Sequence, residues 1–169
     1  MMQRLQPALL DRLTDPDPSA SSETDEMRVV GKVRLRAAVL RDLSWLLNTM
    51  QVLGDGAELY PQAADSVLSY GLPPMAGKLA SRVDVGHLER AIRQAILRFE
   101  PRVLREGLQV KALETERVLD AHNVIELEIR GNLWSQPAPL SLLLRTRIDL
   151  EAGHVTLRDL GGLAPARSA

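Results

Sequence analysis

The pattern of apolar positions divides the chain into a helical first part and an extended second part. From Val30 to Thr49 apolar side chains recur every three or four residues, and the same spacing returns from Asp84 to Phe99. Each of these patterns predicts a helix with one buried face. A shorter helix is predicted from Gln62 to Tyr70, closed by Gly71. Pro101 ends the last helix, because the residue before a proline avoids the helical conformation.

After the last helix the apolar spacing changes to two, which is typical of strands that bury one face. Four such runs lie near residues 108–112, 125–133, 140–150 and 155–157. Helices followed by antiparallel strands predict an α+β domain, with the N-terminal helices packed on one face of a small sheet of three to four strands. The edges of this sheet are expected to be open, and an open edge is either protected or used to recruit another strand.

The loop at residues 135–138 predicts the register of the hairpin formed by the second and third runs. The predicted pairs are Glu128 with Arg145, Glu126 with Arg147, Ile125 with Ile148, and Leu133 with Leu140. Ion pairs then lie on one face and apolar pairs on the other. A slip of one residue would destroy this agreement on both faces at once.

The N-terminal segment is expected to be tethered to the main domain. Residues 1–14 predict a short amphipathic anchor helix with Leu9, Leu10 and Leu13 on its apolar face. This helix either folds back on its own domain or binds a groove of a partner. Residues 15–27 hold five acids and no base together with prolines and serines, which predicts an acidic disordered linker. The domain is expected at residues 28–160 and a flexible tail at 161–169.

Composition excludes several classes of protein. The 169 residues contain no Cys, so neither disulfides nor Cys-ligated metal sites are available. The chain shows no apolar run long enough for a membrane helix and no signal peptide, so we expect a cytoplasmic protein without membrane insertion. The formal net charge is −1, and because the linker is acidic the remainder is weakly basic, mainly through arginine. That excess is too scattered, and aromatic residues at 3% too few, to indicate nucleic-acid binding.

The usual sequence signals of catalysis are weak. The segment Gly71–Leu79 resembles a phosphate-binding loop, but its glycine spacing is wrong and Leu79 replaces the hydroxyl that would bind Mg²⁺. Ser66 lacks the glycines of a nucleophile elbow. The three histidines, His87, His122 and His154, are too dispersed for a paired metal site. We therefore expect no cofactor and no metal.

The sequence Glu100-Pro101-Arg102 is the most pointed local feature. One interpretation is a helix stop with solvated charges. A second is a recognition corner, because Pro101 fixes the bend and leaves the flanking charges little entropy to lose on binding a protein surface. A carboxylate at a helix C-terminus is unfavourable towards the helix dipole, which indicates that Glu100 has another partner. Glu100 is also the best candidate for a two-carboxylate glycosidase acting on cell-wall glycan, although few aromatic residues are available to stack on sugars.

Three segments, in this order, resemble the baseplate wedge family of phage tails, which is often labelled lysozyme-like. They are residues 40–49 (LRDLSWLLNT), 65–73 (DSVLSYGLP) and 99–102 (FEPR). The resemblance extends over roughly residues 28–160. The opening at residues 7–15 is similar to that of the TssE branch, the baseplate subunits of bacterial type VI secretion systems.

The resemblance implies a structural, non-enzymatic subunit at the inner-membrane-associated baseplate of a contractile machine. The implied wedge partners are TssF, TssG and TssK. The implied mechanism is templating, in which an open sheet edge accepts strands of the sheath subunits TssB and TssC and so starts sheath polymerisation. The alternatives are a wedge protein of a phage tail or another contractile particle, and, from a different class, a muramidase-like hydrolase.

The family motifs imply roles for individual residues. The Glu-Pro-Arg motif maps onto Glu100, Pro101 and Arg102 and implies contact with neighbouring wedge or sheath subunits. Trp45, Asn48 and Thr49 take the places of family residues that are expected to pack and to end a helix. Together with the three leucines of the anchor helix, the Glu-Pro-Arg residues are the expected partner-binding residues.

Overall fold

The computed structural model of the chain describes residues 8–13, 31–52, 59–75, 83–113 and 123–161. Its helices are α1 (Leu9–Leu13), α2 (Lys32–Asn48), α3 (Pro61–Ala64) and α4 (Val85–Phe99). Its strands are β1 (Gln109–Ala112), β2 (Val124–Leu133), β3 (Leu140–Asp149) and β4 (His154–Asp159). Three predicted features lie outside the described residues. They are the linker at 15–27, residues 162–169 of the tail, and Gly77 and Lys78 of the segment that resembles a phosphate-binding loop.

The four strands form one antiparallel sheet in the order β1-β2-β3-β4. This arrangement, with helices before the strands, confirms the predicted α+β class. The predicted hairpin register is also confirmed, since β2 pairs with β3 with Glu128 opposite Arg145 and Ile125 opposite Ile148. The expected ion pair between Glu128 and Arg145 is wrong, however. Glu128 instead accepts a hydrogen bond from Nε of Arg130, two residues along the same strand.

Helices α2 and α4 bury their apolar stripes against one face of the sheet, as the helical spacing predicts. Asp84 begins α4 by accepting a hydrogen bond from the backbone N–H of His87 at 2.9 Å, which caps the helix. The fully buried side chains of the core come from both helices and from β2 and β3. They include Leu43, Leu46, Leu88, Ile92, Ile96, Leu127, Ile129, Leu142, Leu144 and Ile148.

The prediction of one short helix between Gln62 and Tyr70 is wrong. The structure divides this segment into α3 and a separate 3₁₀ turn at Val67–Ser69. Ser66 lies between them in an extended conformation, and its hydroxyl accepts a hydrogen bond from the N–H of Leu68. A serine that bonds the backbone two residues ahead competes with the helix in this way.

Gly71 joins this segment to the end of α2. Its φ is +115°, and a Cβ on Gly71 would lie only 2.2 Å from the carbonyl oxygen of Thr49. The next residue, Leu72, donates its N–H to that same oxygen at 2.8 Å and accepts from the N–H of Gln51 at 2.9 Å. The close approach of two backbones therefore requires glycine at this position.

Candidate functional site

The Glu-Pro-Arg turn is organised around a buried carboxylate. Glu100 follows the last turn of α4 and is 3% exposed. Arg102 donates from Nε to Oε1 of Glu100 at 2.6 Å and from Nη2 to Oε2, and the N–H of Arg102 also reaches Oε1 at 3.1 Å. These charge-assisted hydrogen bonds satisfy both oxygens of the buried carboxylate. The partner that the sequence leads us to expect for Glu100 is thus its own neighbour in the motif.

Arg102 also connects the turn to α2. Its Nη2 donates to Oδ2 of Asp42, while Oδ1 of Asp42 accepts from Nε of Arg41 at 2.9 Å. Arg41 in turn donates to Asp11 of α1. The five side chains form a line of alternating charge, Asp11–Arg41–Asp42–Arg102–Glu100, which we call the charge chain.

Electrostatics within the charge chain favour the ionised forms of Asp42 and Arg102. Burial alone would raise the pKa of Asp42, but hydrogen bonds from Arg41 and Arg102 outweigh it, and the pKa of Asp42 is lowered. The hydrogen bond to Glu100, aided by Asp42, raises the pKa of Arg102. The ionised forms of Asp42 and Arg102 are therefore stabilised, and the pair holds the turn against α2.

The structure brings the two groups of predicted partner-binding residues to opposite ends of the charge chain. At one end, Pro101 is exposed and Arg102 is about a quarter exposed, whereas Glu100 lies beneath them. At the other end, Asp11 attaches α1 to α2, as in the interpretation of a terminus that folds back on its own domain. The leucines of α1 remain accessible, with Leu9 70% and Leu13 74% exposed and Leu10 less so.

Sequence reasoning missed Arg41 and Asp42 as members of this site. Both lie in the 40–49 segment that carries the family resemblance, which is the one signal that could have found them. Arg41 also lies over the ring of Trp45, with its Cζ 5.2 Å from the ring centroid. Trp45 is half exposed, so this pair lies at the surface of the protein.

The β1 edge of the sheet is covered by α4. Leu113 donates to the carbonyl of Glu126 on β2, so even-numbered residues of β1 direct their backbone groups away from the sheet. The outward N–H of Ala112 donates to the carboxylate of Glu89 at 2.7 Å, and the outward carbonyl of Leu108 accepts from Nε of Arg93 at 3.2 Å. Two charged side chains of α4 therefore occupy this edge.

The β4 edge is covered by a neutral side chain of α2. Leu160 donates to the carbonyl of Leu143 on β3, so odd-numbered residues of β4 direct their backbone groups outward. At Val155 the side-chain amide of Asn48 satisfies both groups, accepting from the N–H at 2.9 Å and donating to the carbonyl at 2.8 Å. Helix side chains thus occupy part of each edge, whereas the expectation was that both edges are open.

The geometry gives no support to glycan hydrolysis at Glu100. The buried carboxylate is held by Arg102 on both oxygens and presents no accessible oxygen to a sugar. A cleft of about 690 Å³ lies between α4 and residues 61–73, and among the described residues that line it only Asp65 is acidic. Asp65 is itself paired with Arg98. A pair of carboxylates across this cleft, as a glycosidase needs, is therefore not formed by the described part of the chain.

Other sites are equally unsupported within the described ranges. No group of three His, Asp or Glu side chains lies close enough together to hold a metal ion there. In the same residues no helix combines the length and the apolar character required to cross a bilayer. What the described surface does offer is a fixed charged turn, an exposed apolar helix and sheet edges partly covered by side chains.

The described residues form an α+β domain, and a family comparison identifies its type. The family described as "Baseplate wedge protein gp25" matches residues 33–138, more than half of the chain. The chain therefore belongs to the gp25 baseplate wedge family, which is also the family of TssE and is a structural component of contractile-injection baseplates. Comparisons with curated proteins and with solved structures gave no significant match.

Proposed function

We propose that this chain is the TssE-type baseplate subunit of a type VI secretion system. It docks in the wedge with TssF, TssG and TssK at the cytoplasmic face of the inner membrane and templates the TssB–TssC sheath by strand addition. The baseplate role is supported by membership of the gp25 family. The secretion branch is favoured by the opening of the sequence, where an apolar anchor helix precedes an acidic segment.

The charge chain supports a division of roles within the wedge contact. Pro101 and the exposed part of the Arg102 guanidinium form the contact surface, while buried Glu100 fixes the orientation of Arg102. A guanidinium that is already held loses little side-chain entropy on binding, so it contributes more to affinity than a mobile one. A second, apolar contact lies at the other end of the charge chain and is supplied by Leu9, Leu10 and Leu13.

Co-purification tests the wedge assignment. A tagged copy of the full chain, expressed in the bacterium that encodes it, should recover TssF, TssG and TssK. The Arg102→Ala variant should lose them. Arg98→Ala is the matched control, since Arg98 of α4 forms an exposed ion pair with Asp65 at the end of α3. Recovery of phage tail proteins in place of the three wedge subunits would assign the chain to a phage-type particle.

Sheath formation tests the templating role. In cells that carry fluorescent TssB, deletion of the gene for this chain should abolish sheaths, and the wild-type gene should restore them. Normal sheaths in the deletion strain would contradict the proposed function. A purified chain that lyses cell walls, with loss of lysis in Glu100→Gln, would support the hydrolase instead.

A further inference from the structure

We propose that the added strand pairs with the β4 edge, where it displaces the Asn48 side chain, and that it carries an acidic residue beside Arg158. This inference rests on the proposed function, because it names the edge and the kind of segment that templating would use. It rests on two observations. The two edges are covered in different ways, and two facing arginines, Arg145 of β3 and Arg158 of β4, form no ion pair with a described acidic residue.

The β1 edge is the harder one to open. The carboxylate of Glu89 accepts from the N–H of Ala112 at 2.7 Å, and a charge-assisted hydrogen bond is stronger than one between two neutral groups. Arg93 of the same helix holds a second position on this edge. An incoming strand would have to displace both charged side chains and offer only neutral peptide groups in return.

The β4 edge allows a balanced exchange. The primary amide of Asn48 presents one N–H and one C=O to Val155, which is what a peptide group of a neighbouring strand would present. Asn48 is an exposed residue and its contact with Val155 is only partly buried, so solvent can hydrate the amide after release. Replacement by a strand therefore conserves both hydrogen bonds at Val155, and the outward groups of Leu157 provide the next pairing position along the edge.

Charge indicates what the added strand carries. On the solvent face, Arg158 of β4 lies directly opposite Arg145 of β3, and like charges in this position are destabilising. Both arginines are exposed, and no described acidic residue forms an ion pair with either of them, since Glu128 is bound to Arg130. A carboxylate on a strand added beside β4 would lie next to Arg158 and relieve this repulsion.

Proline substitution tests the edge directly. The N–H of Leu157 points away from β3, so Leu157→Pro removes a donor for an added strand without removing a hydrogen bond of the sheet itself. Leu157→Ala is the matched control, because it removes the same side chain and keeps the N–H. In the deletion strain that carries fluorescent TssB, we expect the alanine variant to restore sheaths and the proline variant to give none.

A second pair of variants tests the charge and does not depend on tolerance of proline. Arg158→Glu should abolish sheaths, whereas Arg158→Lys, which keeps the positive charge, should restore them. Circular dichroism and thermal melting of the purified variants establish which of them are folded. Val110→Pro, the corresponding change at the β1 edge, is expected to restore sheaths if folded.

The outcomes separate this inference from the proposed function. Normal sheaths in the deletion strain would contradict the proposed function itself. If that strain forms none, but folded Leu157→Pro and Arg158→Glu restore sheaths as well as the wild type, templating stands and the β4 edge is excluded. If Val110→Pro is folded and is the one variant that gives no sheaths, the added strand pairs with the β1 edge instead.

Discussion

At the scale of single residues, the Glu-Pro-Arg motif acts as one unit. Glu100 is too deeply buried to contact a partner, yet its carboxylate fixes the guanidinium of Arg102 through two hydrogen bonds. Asp42 fixes the same guanidinium from α2. The motif therefore combines a structural residue with residues that remain accessible, and a loss of binding in a Glu100 variant would report the orientation of Arg102.

Removal of Arg102 should destabilise the fold strongly. Arg102→Ala leaves the Glu100 charge buried without its cation, and breaking a buried pair in this way costs about 3 kcal/mol of unfolding free energy. Arg98→Ala removes an exposed pair and should cost less than about 1 kcal/mol. Urea unfolding of both variants measures the difference. Equal stabilities would show that Arg102 contributes no more than a surface arginine.

At the scale of elements, the segment after α3 is fixed to α2 by backbone contacts at Gly71. Because the carbonyl of Thr49 lies where a side chain would begin, Gly71→Ala must separate the two segments or strain the backbone. We expect a loss of about 3 kcal/mol. Gly86→Ala in α4 is the control, since its Cβ would meet only side-chain atoms at ordinary distances. It should leave stability unchanged or raise it by about 0.5 kcal/mol. Thermal melting of both variants checks this, and equal melting temperatures would contradict it.

Elements with a strong period were predictable from the sequence, and contacts between distant residues were not. The β2–β3 register follows from the alternation of apolar and charged residues on the two faces of the hairpin. The short loop between the strands is enough to align these two patterns. The break at Ser66 was missed because a single side-chain hydrogen bond overrides a helical spacing. The cover of the β4 edge depends on Asn48 and Val155, which lie 107 residues apart. Nothing local to either residue indicates this contact.

The same distinction applies to the candidate site. That Glu100 needs a partner could be argued from its position at a helix C-terminus, and the partner is two residues away. The link from Arg102 to Asp42 spans 60 residues, so the sequence indicated it only through the family segments that contain both. Local chemistry was predictable, whereas the charge chain that unites the two ends of the site required the fold.

At the scale of the whole molecule, the charge chain couples α1 to the Glu-Pro-Arg turn. Arg41 is shared by Asp11 and Asp42, and Asp42 is shared by Arg41 and Arg102. When one end of the charge chain is removed, we expect the middle charges to bind each other more tightly and so to weaken the contact at the other end. We therefore expect the contacts of α1 and of the Glu-Pro-Arg turn to be energetically coupled.

A double-mutant cycle measures this coupling. Without Arg102, Asp42 competes more strongly with Asp11 for Arg41, so Asp11→Asn should cost less in the Arg102→Ala background than in the wild type. We expect the difference in unfolding free energy to be about 1 kcal/mol, as for residues of one network. Asp11→Asn combined with Asp159→Asn is the control, because Asp159 pairs with Arg36 and shares no partner with Asp11, and these effects should add. Additivity in the first pair as well would mean that α1 and the turn bind their partners independently.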